Sequence, residues 1–366
     1  MVLIVISIVY FAYAVLLMGA VRGINIKNLQ DCSANNFKAK FSILIPFRNE
    51  SHNLKQLVDS LNNLNYNFNC FELILINDHS TDNFEHGLQH LNKEFNFQLL
   101  QLTNKHGKKN AILKGIDEAK FEYIITIDAD CLIPENLLSS YASLIAKKDY
   151  DLIIGSVVLS SSNSLIEKFQ FLDFLAMQGV GLGWAKIHQA FLCSGANLCY
   201  KKSVFKELDP FKNNLSIASG DDLFTLMAFK KNKAKIGTNL DAVVIAKSQP
   251  TLKSLFAQRR RWLSKNSSIK DVFFNITAIL VFLCNFSLII LSICSFIDLA
   301  YLEFLFVFFV IKFILDYFLL YQISYRLNTV ICWRNVLKMS FLYPFLLVFI
   351  FLSNFIQLNE WKNRKI

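Results

Sequence analysis

Met1 to Val21 is a continuous apolar run with no charged side chain. A helix of that length crosses roughly 30 Å of hydrocarbon. Lipid-like composition returns only after Asp271, in Val272–Ile297 and Leu299–Ile323, which are joined by a short acidic turn near Asp298. A last stretch, Val336–Leu358, fits either a further span or, broken at Pro344, a re-entrant hairpin. Lys312 and Asp316 stand four residues apart in the second of these runs, on one helical face. Intramembrane charge is a functional candidate by default, and mutual neutralisation between packed helices is the other reading.

Between the anchor and Asp271 the pattern changes to short apolar runs alternating with amphipathic ones. Phe41–Pro46, Phe71–Asn77, Phe97–Thr103, Tyr123–Asp128 and Leu152–Leu159 are expected strands, rich in Ile and Leu and ending in turn residues. Ser51–Leu61, Asn83–Phe95, Lys108–Ala119 and Glu135–Lys147 are expected helices. This alternation predicts an α/β domain with a parallel sheet covered on both faces, whose ligands gather at the carboxyl ends of the strands. Leu165–Trp184, apolar with few charges, fits a core helix or an interfacial one.

Flanking charge sets the orientation. Arg22 and Lys27 follow the first run, and Arg259–Arg261, Lys265 and Lys270 precede the second. The first run lacks the basic start and the A-x-A site of a cleaved signal peptide. The expected organisation is therefore a signal anchor over 1–21, a cytosolic domain over 22–270 and a membrane region over 271–366. Its spans are expected near 272–297, 299–323 and 336–358, in a multi-pass protein of the cell (inner) membrane. A simple final span would carry Lys362, Arg364 and Lys365 outward, against the same rule.

Composition agrees with a membrane protein: 54% hydrophobic residues, 35 Phe and only 18% charged residues, where soluble domains carry about 25%. The net charge of +10 suits anionic lipid or a diphosphate. The lysines are scattered and no nucleic-acid-binding motif is present, so no nucleic acid is expected as partner. The eight cysteines, Cys32, Cys70, Cys131, Cys193, Cys199, Cys284, Cys294 and Cys332, include no C-x-x-C pair and suit reduced cytosolic thiols.

The residues just after the strands carry the chemistry. The first strand runs into Pro46-Phe47-Arg48-Asn49-Glu50, the second into Asn77-Asp78-His79-Ser80-Thr81-Asp82, and the fourth into Asp128-Ala129-Asp130. Lys108, Lys109 and Asn110 open a helix behind Gly107. Taken singly, an Asp after a strand is usually a turn or capping residue. Carboxylates at successive exits suggest a hard divalent cation and a hydrogen-bonding ligand, and the lysines suggest phosphate.

The strings FSILIPFRNE, INDHSTD, GKKNAI and TIDADC, followed by SGANLCYKK, Ser219-Gly220-Asp221-Asp222 and Gln258-Arg259-Arg260-Arg261-Trp262, resemble membrane-bound family 2 glycosyltransferases. Ceramide glucosyltransferases and polysaccharide synthases are of this kind, and the last string fits their QxxRW. The resemblance covers about residues 40 to 265. It implies a GT-A (Rossmann-like) fold binding a nucleotide diphospho-sugar, foremost a UDP-sugar. Pro46, Arg48, Glu50 and Asp78 would hold the nucleoside, with Lys109 nearby, and Asp128 would contact the nucleotide. Asp130 would ligate Mg²⁺ or Mn²⁺. Asp222 would be the general base, and Gln258, Arg261 and Trp262 would close over the diphosphate and the acceptor. Asn77 stands where the family is often acidic, His79 where a small residue is usual, and Asp221-Asp222 in place of Glu-Asp.

The resemblance implies an inverting hexosyltransferase acting on a membrane-associated acceptor, foremost a lipid in glycolipid biosynthesis, with a glycan as the other possibility and membrane lipids as surroundings. A processive polysaccharide synthase and a non-catalytic membrane scaffold are the competing readings. Against the base, Asp221 and Asp222 both precede an apolar helical run and suit a helix N-terminus equally well.

Overall fold

The chain is described as a computed structural model covering residues 2–26, 39–92, 94–162, 164–217, 219–266, 269–353, 360–361 and 364–365. Lys27, Cys32 and Lys362 lie outside the described residues, as do the side chains of Lys265, Arg364 and Lys365. In chain order the elements are α1 (Val2–Ile24), β1 (Phe41–Phe47), α2 (Ser51–Asn62), β2 (Phe71–Asn77), α3 (Glu85–Leu88), β3 (Asn96–Gln101), α4 (Lys108–Glu118), β4 (Tyr123–Thr126), β5 (Cys131–Leu132) and α5 (Leu137–Lys147). They continue with β6 (Leu152–Leu159), α6 (Leu165–Lys186), β7 (Leu198–Lys201), α7 (Lys202–Leu208), α8 (Asp221–Lys231), β8 (Ile236–Ala246), α9 (Leu252–Asn266), α10 (Val272–Ser295), α11 (Ala300–Arg326) and α12 (Trp333–Ser353).

Two compact units divide these elements. Residues 27–160 and 192–247 form an α/β unit, and residues 1–26, 161–191 and 248–366 form a helical one.

The sheet of the α/β unit runs β3-β2-β1-β4-β7-β6-β8-β5. β1 pairs in parallel with β2 and β4, β2 with β3, and β6 with β8, whereas β7 lies antiparallel between β4 and β6. The sheet is mixed, and the expected run of parallel strands holds for its first half. Every residue of β1, β2 and β6 is buried, which is why these strands are near-continuous apolar runs instead of alternating ones. Two polar exceptions satisfy each other: the Ser42 hydroxyl donates to Glu72 Oε1 at 2.6 Å, and the Lys120 amide donates to the same oxygen at 2.6 Å. Where β6 slips register between Gly155 and Ser156, the buried Asn197 fills the gap. Its amide donates to Ser156 O at 2.9 Å and its oxygen accepts from Tyr141 at 2.7 Å.

The helix expected over Asn83–Phe95 shrinks to the single turn of α3. Asn92 explains the stop: its side chain accepts from the Glu94 amide at 3.0 Å while its own amide donates to Asn62 Oδ1 at 2.9 Å. Such local side-chain bonds compete with helix continuation.

In the helical unit α6 is a core helix, with Phe169, Leu172, Leu175 and Leu182 buried. The fully buried Gln170 holds Gln249 by two bonds, accepting from its amide at 2.8 Å and donating to its carbonyl at 2.8 Å. Helices α1 and α6 meet through small residues. A Cβ on Gly23 would fall 1.8 Å from Gly183 O, and one on Gly183 would fall 2.2 Å from Ala20 O. Trp184 packs against Gly19 and donates its indole N–H to Leu16 O at 3.0 Å. Small residues that let backbones touch are the usual means of joining helices in lipid, where apolar burial contributes little.

Among the described residues four helices are long and apolar enough to cross a membrane: Val2–Ile24, Val272–Ser295, Ala300–Arg326 and Trp333–Leu352. α12 runs unbroken through Pro344 as far as Ser353, so the chain does not turn back at that proline. Lys312 is buried and pairs with Asp316 Oδ2 at 2.5 Å, and Tyr13 of α1 donates to Asp316 Oδ1 at 2.6 Å. The ion pair is thus neutralised within α11 and tied to α1.

The α1–α6 contact generates a prediction. Gly23→Ala and Gly183→Ala force two backbones apart and should each destabilise the detergent-solubilised protein by about 1–3 kcal/mol. Phe11→Leu, on the exposed face of α1, should leave the thermal midpoint in place. Unchanged midpoints for both glycine variants would contradict the contact.

Candidate active site

The carboxyl ends of β1 and β2 are locked together before any ligand is considered. The Asp78 amide extends the sheet by donating to Phe47 O at 2.8 Å. Asn49, with φ of 53°, presents its side chain to the Thr81 amide at 2.8 Å while its own amide donates to Ser80 Oγ at 3.0 Å. Asn77 is buried and caps the following turn, accepting from the Ser80 amide at 2.9 Å. An amide side chain does here what a carboxylate could do only in part, because it also donates to Gln101 at 2.6 Å. Arg48 reaches across to Asp78 O at 3.4 Å, and Glu50 accepts from Asn53 at 2.6 Å. Pro46 lies inside β1 as a buried strand residue.

A charged group stands at the exit of β4. Lys108, the first residue of α4, places Nζ 2.6 Å from Asp128 Oδ1 and 2.9 Å from Asp221 Oδ2. Burial alone would depress this ammonium, but Asp128 and then Asp221 outweigh burial and hold it well above the ordinary lysine range. Burial raises Asp221 above the usual carboxylate range, with Lys108 opposing and Asp222 adding to the rise. Asp222 is half-buried, and backbone groups orient it: Oδ1 accepts from the Leu223 amide at 2.7 Å and Oδ2 from the Gly195 amide at 3.3 Å. A Cβ at Gly195 would lie 2.8 Å from Asp221 Oδ2 and 3.0 Å from Lys108 Nζ, so a side chain there would push this ion pair aside.

Asp130 completes the cluster. Burial, with the charges of Asp128 and Glu50 added, pushes its carboxyl up to about 6. Lys108 offsets this rise only in part, and carboxylate oxygens are the donors that Mg²⁺ or Mn²⁺ takes. The donor set therefore fits a hard divalent cation.

Lys109 is not in this group. One residue further along α4 the side chain turns by about 100°, and its buried Nζ donates to Asn214 O at 2.6 Å and Ile217 O at 2.9 Å over the Phe224 ring. Lys108 is the lysine beside Asp128 and Asp221, and Lys109 secures the segment leading to α8.

Gln258, Arg261 and Trp262 lie on α9 in the helical unit. The neighbouring Arg259 organises that turn: it is buried, ion-pairs with Asp173 of α6, and stacks over the Trp262 ring at 4.4 Å. The sequence carried no sign of the Asp173 partnership, because the two residues are far apart along the chain.

Residues 42–208 match the family described as Glycosyl transferase family 2. Over 174 residues the chain is 26% identical to a poly-beta-1,6-N-acetyl-D-glucosamine synthase of Staphylococcus epidermidis, covering 46% of this chain and 40% of that protein. Over 116 residues it is 31% identical to Glycosyltransferase GlyG of Streptococcus pneumoniae serotype 4, covering 31% and 38%. The chain thus spans about two fifths of the length of these curated relatives. Among solved structures, the mannosyltransferase PcManGT from Pyrobaculum calidifontis, in complex with GDP-Man and Mn²⁺, superposes with a TM-score of 0.58 at 15% identity, over 96% of this chain and 97% of that one. That likeness shows the fold, which is the expected GT-A type.

The raised carboxyl of Asp130 sets a pH dependence. In the folded, metal-free protein this carboxyl keeps its proton up to about pH 6, whereas in the unfolded chain it ionises near the ordinary 3.8. The unfolded state therefore binds fewer protons between these values, so stability contributed by Asp130 falls as pH rises through about 6, by roughly 1–3 kcal/mol. Denaturation in chelator from about pH 4.5 to 7.5 should show this fall in the wild type and a smaller one in Asp130→Asn. Added Mn²⁺ should restore stability at the upper end only. Identical pH profiles for the two proteins would refute the assignment.

Proposed function

We propose that this chain, which carries a glycosyl transferase family 2 domain over residues 42–208, is a membrane-bound glycosyltransferase. It moves a sugar from a nucleotide diphospho-sugar, foremost a UDP-sugar, to a membrane-associated acceptor. The observation that carries this reading is the convergence of Asp128, Lys108, Asp221 and Asp222 between the exit of β4 and the start of α8. Asp130 lies in the same electrostatic group.

Asp222 takes the proton of the acceptor hydroxyl. Backbone N–H groups of Leu223 and Gly195 orient its two oxygens, and Asp221 is held by Lys108. The acceptor oxygen, deprotonated by this one base, bonds to the anomeric carbon in line as the bond to the nucleoside diphosphate breaks, a single displacement with inversion. Asp78 and the Pro46–Glu50 loop, fastened to each other, would hold the nucleoside. Mg²⁺ or Mn²⁺ held by Asp130, with Asp128 beside it, would neutralise the charge developing on the leaving diphosphate. Arg261, Gln258 and Trp262 would serve the diphosphate and acceptor, Arg offering a planar fork for phosphate. The four apolar helices support a multi-pass membrane protein. The basic flanks of α1 and α10 support a cytosolic catalytic domain.

The acceptor is taken to be a lipid extended by one sugar. The likeness to poly-beta-1,6-N-acetyl-D-glucosamine synthases favours a second reading, a processive synthase whose acceptor is the growing glycan. Membranes incubated with labelled UDP-sugars and then extracted with organic solvent separate the two. Single-sugar lipid supports the first, and polymer of increasing length supports the second.

Asp222→Asn in folded, donor-binding protein should lower turnover by roughly 10²–10⁴-fold. Asp221→Asn should chiefly weaken donor binding through Lys108. Equal and mild losses in both variants would return the pair to helix capping and favour a non-catalytic scaffold.

A further inference from the structure

Just beyond β2 the side chains of Asp78, His79 and His106 converge in a way that donor binding does not require. Asp78 Oδ1 lies 3.1 Å from His79 Nδ1 and 3.8 Å from His106 Nδ1, and the two ring nitrogens are 3.0 Å apart. The circle through those three atoms has a radius of about 2 Å, which is the distance at which imidazole nitrogen and carboxylate oxygen bind Zn²⁺, about 2.0–2.2 Å. One ion at its centre would touch all three.

The outer contacts match as well. His79 Nε2 lies 3.2 Å from Thr103 O. A carbonyl only accepts, so Nε2 bears the hydrogen, and in the neutral ring the lone pair is on Nδ1, facing the other two ligand atoms. Asp78 Oδ1 brings lone pairs to the same point, where a cation would draw the oxygen and both ring nitrogens together. A ring N–H given to a backbone carbonyl is the usual support of a metal-bound histidine. Asp78 is fixed from its other oxygen, Oδ2, which accepts from the Gly107 amide at 3.0 Å. The backbone beside the rings is unusual: His79 has φ of 57° and Gly107 has φ of 96°. His106 is itself held by Asn110, whose amide donates to its carbonyl at 2.7 Å.

We propose that Asp78 Oδ1, His79 Nδ1 and His106 Nδ1 form a site for one borderline-soft divalent ion of the Zn²⁺ type, distinct from the hard-cation position at Asp130. Two imidazoles and one carboxylate suit Zn²⁺ and its neighbours and disfavour Mg²⁺, which prefers six oxygens. His106 is exposed, so the fourth position faces solvent and accepts water or an anionic group.

The test is binding of ZnCl₂ to the full-length, tag-free, chelator-stripped protein in detergent, followed by calorimetry and by release of a chromophoric Zn²⁺ indicator. One equivalent should bind at micromolar Zn²⁺, and MgCl₂ at millimolar concentration should not displace it. His106→Ala, at an exposed position, should weaken binding by at least tenfold. His79→Asn tolerates the left-handed backbone and should do the same. Asp130→Asn should leave Zn²⁺ affinity unchanged. Absence of a saturable equivalent in the wild type overturns the proposal, and so does binding that both histidine variants retain. None of these readouts needs turnover, so the outcome is independent of the glycosyl-transfer reading.

Discussion

Crowding negative charge at one edge of a sheet is the constraint around which the α/β unit is arranged. Asp128, Asp130, Asp221 and Asp222 gather where the strand ends bring backbone amides and helix starts together, and each raises the cost of the next. Lys108 is the internal countercharge. It lies on the first turn of α4 because β1, β2 and β4 run parallel, which brings the loop behind β3 over the same edge. The arrangement is incomplete without further positive charge, as the position of Asp130 shows. A site built this way favours a ligand that arrives with a cation, and a nucleoside diphosphate is such a ligand.

The helical unit solves a different problem. Apolar surface cannot by itself drive helices together in lipid, so specific contacts must do so. Glycine-to-backbone contact joins α1 to α6, and Tyr13, Lys312 and Asp316 join α1 to α11. Arg259, paired with Asp173 and stacked on Trp262, extends the same use of buried polar groups to α9.

The strands were legible because β1, β2 and β6 are buried on both faces and so appear as uninterrupted apolar runs. The acids at their ends were legible because turn-forming residues and charge coincide there. Which lysine faces the acids was not legible: Lys108 and Lys109 are adjacent, and only the phase of α4 separates them. The helix over Asn83–Phe95 failed for a related reason, since asparagine side chains there take up backbone amides that a helix needs. Antiparallel β7 and the longer β8 were not among the expected strands. The pairing of His79 with His106 depends on two left-handed backbone turns that composition does not reveal.

Adjacent residues at the start of α4 have separate tasks, Lys108 holding Asp128 and Asp221, and Lys109 holding the carbonyls of Asn214 and Ile217. Both tasks converge on the segment that begins α8. A single-residue insertion or deletion between Gly107 and Ala111 would rotate the helix phase by about 100° and misplace both ammonium groups together. The first turn of α4 acts as a ruler for this edge of the sheet: its length matters as much as its residue types.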